Sequence, residues 1–284
     1  MKSIHRQQTL ALALTLLAGA ANAHVSYNGR DLIVDGTFDG TSYTLAGQTV
    51  TSRYGWADAA DSDWGDSHRG RFMKFTLTGS SDVTITIQRQ AGVAVTVGPN
   101  NPSGFALDDL APAFSLYAGI VPVAAYEGSD HPLFLANHAG YLPSASYYSP
   151  THAGPLEGAW NALGDFTLGN KSSEVGAAGW AATTLSFLGY AIDGSLSALG
   201  GDGMADGLVS RQFHGLAAGT YTIVVGGACY ECQIADANGM NNARGFSANL
   251  QVTPVPEPGL PALFLAGLGL TVWQIRRAQQ SAKR

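Results

Sequence analysis

The chain has 284 residues and a formal net charge of −6 at pH 7, and only 13% of its residues are charged, against about 25% in an average soluble domain. Both ends are basic: residues 1–23 contribute +2 and residues 254–284 contribute +3, which leaves −11 on the body between them. A body this acidic repels nucleic-acid phosphates and anionic lipid, so the composition excludes a nucleic-acid-binding function. It suits cation binding or plain solubility.

The first residues have the pattern of a secretory signal peptide. Lys2 and Arg6 form a basic start, an apolar run follows at 9–18, and Ala21-Asn22-Ala23 supplies the small-x-small cleavage pattern. The apolar run is too short to cross a bilayer, which needs roughly 20 residues. We therefore predict an N-terminal signal helix within residues 1–23, cleavage after Ala23 and a mature chain that begins at His24.

The last residues have a different pattern. A proline-rich segment, 254–258, is expected to be rigid and extended because proline fixes φ and cannot enter a helix interior. Residues 259–275 then carry no charge, and their number is at the short end of the range for a membrane span. Four basic residues follow: Arg276, Arg277, Lys283 and Arg284. This pattern predicts a transmembrane helix over about 259–275, with the C-terminus in the cytoplasm and the body outside the inner membrane.

The same tail resembles a PEP-CTERM sorting signal. The resemblance rests on Pro256, Glu257 and Pro258, on the Gly- and Ala-rich apolar helix, and on the pair Arg276 and Arg277. It implies a Gram-negative bacterium and an exosortase-type membrane enzyme that recognises the tail and cuts near the Pro-Glu-Pro element. It also implies a cell-surface or extracellular destination, often in association with exopolysaccharide or biofilm matrix.

Between the two ends, residues 24–253 form one domain in this interpretation, about 230 residues long. Strand-like stretches recur with turn residues between them, and 82–88 alternates cleanly between polar and apolar residues. The other predicted strands are 72–77, 93–97, 113–117, 184–190, 219–226 and 246–252, and short helices or single turns are predicted near 133–138 and 156–163. No repeat of fixed period is present, which argues against a solenoid or a propeller. The fold class predicted for the body is all-β.

Three pieces of the body resemble the bacterial pre-peptidase C-terminal type of β-sandwich, a small jelly-roll-like accessory module. They are 71–77 leading into 83–87, then 112–117, then 216–223. About a hundred residues, 118–212, separate the second piece from the third, so we expect a jelly-roll-like β-sandwich with a long insertion.

The sequence has two cysteines, Cys229 and Cys232, spaced C-x-x-C. In an oxidising exported setting a disulfide across this short loop is expected. A redox-active pair needs a βαβ context, and a zinc site needs two further ligands. Free thiols and these two functional interpretations remain the alternatives.

An acidic segment is the first candidate metal site. Asp58, Asp61, Asp63 and Asp66 place four carboxylates within nine residues, and Ca²⁺ prefers six to eight oxygen ligands from such loops. The spacing does not fit an EF-hand, because Asp66 stands where glycine is needed. We predict a calcium site here. The alternative is a solvated loop in which the Asp side chains cap turns.

A second acidic segment is residues 201–207. It resembles the second half of a bacterial thrombospondin type 3 calcium repeat, with Asp202 and Asp206 as the acidic residues. The first two acidic ligands of such a repeat would fall on Ala198 and Gly200, so half of that site is missing. A simple Gly-Asp turn before a strand is the alternative.

His24 is the candidate copper ligand. An N-terminal histidine chelates copper through its amine and its imidazole, and imidazole suits copper. With a second histidine this resembles the brace of lytic polysaccharide monooxygenases, which are also exported β-sandwiches. The possible partners are His68, His131, His138, His152 and His214, and their spacing favours none of them.

The sequence contains no G-x-S-x-G elbow and no H-E-x-x-H motif. Scattered carboxylates, Glu127, Glu157 and Glu174, are the candidates for a glycosidase-type pair. The aromatics Trp56, Trp64, Trp160, Trp180, Tyr147 and Tyr148 are interpreted mainly as core, with sugar stacking as the alternative. The sequence predicts a non-enzymatic surface or matrix protein with structural calcium. The alternative is a carbohydrate-binding or copper-dependent polysaccharide-active protein.

Overall fold

Strands dominate the part of the chain described by the structure, a computed structural model, which comprises residues 25–56, 64–66, 69–121, 125–126, 159–170, 182–194, 201–229, 242–255 and 260–281. The strands are β1 (Thr37–Phe38), β2 (Ser42–Thr51), β3 (Trp64–Asp66), β4 (Arg71–Leu77), β5 (Ser81–Arg89), β6 (Pro112–Ala118), β7 (Ala125–Tyr126), β8 (Ala159–Asn161), β9 (Phe166–Asn170), β10 (Ala182–Ile192), β11 (Leu208–Leu216), β12 (Gly219–Gly227) and β13 (Ala243–Pro254). One helix, α1 (Leu260–Ser281), follows them.

The strands form two antiparallel sheets that pack as a sandwich. The five-stranded sheet has the order β1-β2-β13-β5-β11, and the six-stranded sheet has the order β4-β12-β6-β10-β9-β7. A small sheet pairs β3 with β8. The eight long strands, β2, β4, β5, β6, β10, β11, β12 and β13, have the two-sheet order of a jelly roll. The predicted all-β sandwich is confirmed.

The main core lies between the two sheets. Along β5 the side chains of Val83, Ile85 and Ile87 are fully buried and the residues between them are not, as the alternation in the sequence predicts. Across the interface Phe114 of the six-stranded sheet meets Phe213 of the five-stranded sheet, with ring centroids 6.4 Å apart. The five-stranded sheet therefore has one buried side and one polar side.

The six-stranded sheet is buried on both sides along its strands β6 and β12. Every residue of β6 from Pro112 to Tyr117 is buried, and so is β12 from Tyr221 to Gly227, because a second apolar cluster covers the outer side of this sheet. That cluster contains Trp56 and Trp160. A strand buried on both faces has a continuous apolar sequence instead of an alternating one, which is the pattern of these two strands.

Three predictions about the body are corrected. Residues 93–97 do not form a strand: within them Ala94 makes an isolated bridge to Phe105, because the chain has left the ladder at Arg89. The predicted turn or helix at 156–163 contains β8, which pairs with β3. The predicted insertion 118–212 includes β10, and β10 pairs with β6 as a regular strand of the sandwich. The segment 133–138 lies outside the described residues.

The C-terminal helix is present, but its predicted transmembrane character is not confirmed. Among the residues that the structure describes, no helix has both the length and the apolar character needed to cross a membrane. In α1 the apolar stretch is cut short because Gln274, Arg276 and Arg277 lie within the helix, four or more residues before its end at Ser281. The predicted signal helix, 1–23, lies outside the described residues.

Candidate functional site

The acidic segment Asp58–Asp66 lies almost wholly outside the described residues. Asp58, Asp61 and Asp63 are not described, and Asp66 is the last residue of β3, where its backbone pairs with Ala159. The calcium site proposed for these four residues stays a prediction.

The acidic residues near 201–207 act as acceptors for backbone amides. Asp202 Oδ1 accepts hydrogen bonds from the amides of Gly194 and Met204, each at 3.0 Å. Asp193, buried just after β10, accepts from the amides of Asp206 at 3.1 Å and Gly207 at 3.0 Å. This is the turn-capping alternative, and it uses Asp193, which the sequence did not point to.

The environment of Asp193 raises its pKa above the usual value. Burial is the largest cause, and the nearby carboxylates of Asp202 and Asp206 add to it, while the two amide hydrogen bonds oppose it. Three carboxylates are thus electrostatically close. Even so, no group of three or more His, Cys, Asp or Glu side chains among the described residues could hold a metal ion. The hydrogen bonds of Asp193 and Asp202 thus stabilise the connection between β10 and β11.

Other predicted site residues are partly placed. Cys229 is disulfide-bonded, and Cys232 lies outside the described residues. The sorting motif residues Pro256, Glu257 and Pro258 and the candidate copper ligand His24 also lie outside them. Of the Arg pair, Arg276 and Arg277 lie in α1, and the Arg277 guanidinium is 5.3 Å from the centre of the Trp273 ring.

The two described tryptophans of the body belong to the core. Trp56 and Trp160 are almost completely buried, and each indole N–H donates to a protein acceptor: Trp56 to Ser115 Oγ at 2.9 Å, and Trp160 to the carbonyl of Gly55 at 3.4 Å. Buried indoles with such partners are structural and do not offer a ring to a sugar. The Trp64 side chain, Trp180, Tyr147 and Tyr148 lie outside the described part of the chain.

The outward side of the five-stranded sheet, here called the open face, carries regular rows of neutral polar residues. Residues directly opposite each other in antiparallel strands point to the same side, so the strand registers define each row. The central row crosses all five strands and contains Thr37, Thr44, Asn249, Thr86 and Ser210. The second row crosses four strands and contains Ser42, Gln251, Thr84 and Gln212. All nine side chains are hydroxyls or amides.

Hydrogen bonds between neighbouring strands order these rows. The Asn249 Nδ2 donates to both Thr44 Oγ1 and Ser42 Oγ, each at 2.9 Å, and the hydroxyls of Thr86 and Ser210 are 2.8 Å apart. A hydroxyl has one donor and two acceptor lone pairs, so the single contacts of Thr44, Thr86 and Ser210 leave further hydrogen-bonding capacity. Ser42 is buried, and its hydroxyl already donates to Asp39 Oδ2 at 3.2 Å. The rows form a preorganised, uncharged array of donors and acceptors.

Charge on this side lies at one end of the sheet. Asp82 Oδ2 and His214 Nδ1 are 3.0 Å apart, and the amide of Gly215 donates to Asp82 Oδ1 at 2.8 Å. The hydrogen bond to His214, followed by that from Gly215, lowers the pKa of Asp82. The Asp82 carboxylate therefore stays ionised. The two polar rows themselves contain no ionisable side chain.

Sequence reasoning missed the open face because three of its strands, β1, β2 and β11, were not predicted. A signal was present in β5, where Thr84 and Thr86 alternate with buried isoleucines. Residues 44, 86, 210 and 249 become neighbours only once the strand order is known.

Comparisons with known proteins establish no family. No protein-family model matches the chain, and no curated protein matches it. One similar solved structure is CorA, described as a surface-associated copper-binding protein important in Methylomicrobium album BG8 copper acquisition: TM-score 0.40, 18% identity, covering 77% of this chain and 96% of that chain. Another is the secreted protein MopE of Methylococcus capsulatus, described as binding copper with the help of an oxidised tryptophan: TM-score 0.33, 13% identity, covering 74% of this chain and 85% of that chain. At these identities and TM-scores no ligand is transferred to this chain.

Proposed function

We propose that this chain is a non-enzymatic protein of the bacterial surface or extracellular matrix. In this proposal it is exported through residues 1–23 and sorted through residues 254–284 by an exosortase-type membrane enzyme. The observation that carries the proposal is the junction between the sandwich and the tail. β13 ends at Pro254, the amide of Val255 still donates to the carbonyl of Ser80 at 2.9 Å, and the Pro-Glu-Pro element follows directly. Cleavage there would leave the last strand of the sandwich intact.

The surface of α1 gives a second support. Six large apolar side chains of this helix are about half exposed or more: Phe264, Leu268, Leu270, Val272, Trp273 and Ile275. Burying one such side chain stabilises by about 1.5–3 kcal/mol, so this helix gains from contact with an apolar partner. Recognition of the tail by a membrane enzyme would supply that partner.

The experiment follows the size and location of the chain in its natural bacterium, with an antibody against the body. We expect the wild-type chain to appear outside the cell in a shortened form whose C-terminus, determined by mass spectrometry, lies near residues 256–258. Replacement of Arg276 and Arg277 by Gln should leave the chain full-length and cell-associated, because it removes the basic pair of the sorting pattern.

The matched control replaces Lys283 and Arg284 by Gln. It removes the same charge from the tail but leaves the pair in α1, so normal shortening is expected. A wild-type chain that is never shortened, or two double variants that are processed alike, would contradict the sorting proposal.

Copper binding at the mature N-terminus is the second candidate. Its support is the position of His24 directly after the predicted cleavage site, and of its possible partner histidines the described one, His214, is hydrogen-bonded to Asp82. Protein with His24 as its native first residue should give a Cu(II) electron paramagnetic resonance spectrum with nitrogen couplings. A variant in which Ala replaces His24 as the first residue should lose the nitrogen coupling of the His24 imidazole. A native sample without nitrogen couplings would rule this candidate out.

A further inference from the structure

We propose that the open face is a binding surface for a neutral polysaccharide chain. It carries two adjacent rows of hydroxyl and amide side chains on neighbouring strands, which lie about 4.8 Å apart. The central row spans the sheet from Thr37 to Ser210. A sugar chain presents hydroxyls that both donate and accept, and the side chains of these rows do the same.

Local strand preference explains the threonines of the rows but not Asn249. Asn249 is of a type that is depleted in strands, yet it stands in the middle of the long strand β13. A residue type that strands disfavour is expected at a strand position where function requires it. The side chains are also held in place, because Asn249 is fixed by two hydrogen bonds to β2.

The chemistry of the face selects against other partners. Protein interfaces are enriched in aromatic side chains, Met and Arg, and the two rows contain none of these. Cationic groups that would hold an anionic polymer are likewise missing from the rows, and the body carries −11 overall, which repels one. A neutral polyhydroxylated chain is the ligand class that these groups fit.

Binding at a single copy is expected to be weak. Each neutral hydrogen bond to a sugar replaces one to water, and no aromatic ring of the rows adds stacking, so the expected dissociation constant is roughly 1 mM. The biological part of this inference rests on the proposed function, since many copies sorted to one surface would engage a long polymer together and strengthen the binding.

The test is affinity electrophoresis of the full chain in native gels that contain a neutral polysaccharide: hydroxyethylcellulose, galactomannan or xyloglucan. The protein is kept in a polyoxyethylene detergent, which carries no sugar to compete. We expect retardation by at least one neutral polymer and none by alginate, which is anionic. Replacing both Thr86 and Ser210 by Val should weaken the retardation roughly tenfold, because it removes hydrogen-bonding groups from the central row.

The matched control replaces Thr76 and Thr220 by Val. These two hydroxyls form a similar cross-strand pair, 3.1 Å apart, on the six-stranded sheet, so this variant should be retarded like the wild type. Thermal melting of both variants confirms that they fold. No retardation in any of the three neutral gels, retardation only by alginate, or equal weakening in the two variants would overturn the proposal. Because purified protein is used, these outcomes are independent of whether the tail is processed in cells.

Discussion

Replacement of Gly227 by Ala is expected to destabilise the protein by about 3 kcal/mol, the upper part of the usual range for overpacking. A Cβ at this position would lie 2.2 Å from both the carbonyl carbon and the carbonyl oxygen of Arg53. These are backbone atoms that cannot rotate away. At this point the segment after β2 crosses the end of β12, and the amide of Trp56 donates to the carbonyl of Gly227 at 3.1 Å. The added methyl group would therefore separate these two backbone segments and disrupt the hydrogen bond that positions Trp56 against the six-stranded sheet.

Thermal unfolding of the full chain measures this effect. For a domain of this size the expected decrease in Tm is roughly 6–12 °C, from about 2–4 °C per kcal/mol. Gly79→Ala is the matched control, because a Cβ at Gly79 meets nothing within 4 Å; its Tm should change little or rise slightly. A Gly227→Ala variant as stable as the control would show that the close approach of these two segments is not maintained in solution.

The strands that can be predicted from the sequence each follow one simple pattern of apolar and polar residues. β5 is recognisable because it alternates, and β6 and β12 because they are mainly apolar runs, interrupted by Ser115 and Thr222, between turn residues. β2 is not recognisable since Ala46 and Gly47 interrupt it, and Gly47 adopts a positive φ of 70°. β11 has an Arg at an inward position, Arg211, whose guanidinium escapes the core by reaching across to the carbonyl of Tyr190 on the other sheet. Such local exceptions depend on a partner strand that the sequence does not identify.

The candidate site is harder to predict from the sequence than the fold is. The central row joins residues from 37 to 249, and its existence depends on four separate registers. A shift of one residue in any strand would turn that strand's polar side chains into the core. Similarly, the loop 201–207 looks like half of a metal site in sequence, while in the fold its amides donate to the carboxylate of Asp193, the residue that follows β10.

The tail shows a different limit. The predicted helix is present as α1, and its position agrees with the apolar run. Its predicted membrane-spanning character is not confirmed, since no helix of the described residues is long and apolar enough to cross a membrane. The helix α1 extends to Ser281 and is therefore longer than the uncharged stretch 259–275, whereas the sequence prediction gave both the same bounds.

Replacement of Asp109 by Asn is expected to destabilise the protein by about 2–3 kcal/mol. The Asp109 carboxylate contacts two guanidinium groups: that of Arg53, and that of Arg244 through Nε at 3.0 Å. The Arg244 side chain has no exposed surface, whereas that of Asp109 is 32% exposed. Removing one partner of a fully buried ion pair costs about 3–5 kcal/mol, and solvent screening of the Asp109 carboxylate, which is one-third exposed, reduces this figure. Asn keeps the shape of the side chain, so the loss reports the charge.

Its neighbour provides the control. Asp108 is 4.0 Å from Arg89, and both side chains are largely exposed, at 54% and 42%, so Asp108→Asn should change the free energy of unfolding by no more than about 1 kcal/mol. Urea unfolding measures both values. Added salt should reduce the small effect at Asp108 more than the effect at Asp109, because exposed pairs are screened and buried ones much less. Equal effects at the two positions would contradict this interpretation.

A double variant separates the charge from its surroundings. Arg244→Met removes the buried cation and keeps an apolar side chain of similar length in its place, although the hydrogen bond from Arg244 Nη1 to the carbonyl of Asn242, 2.8 Å long, is lost with it. If the penalty of Asp109→Asn arises from a buried positive charge deprived of this carboxylate, the substitution should cost much less when Arg244 is already Met. The expected coupling is at least about 1 kcal/mol. Strict additivity would instead mean that Asp109 stabilises the loop before β6 through its other contact, to Arg53 after β2, and that Arg244 is stabilised independently of it.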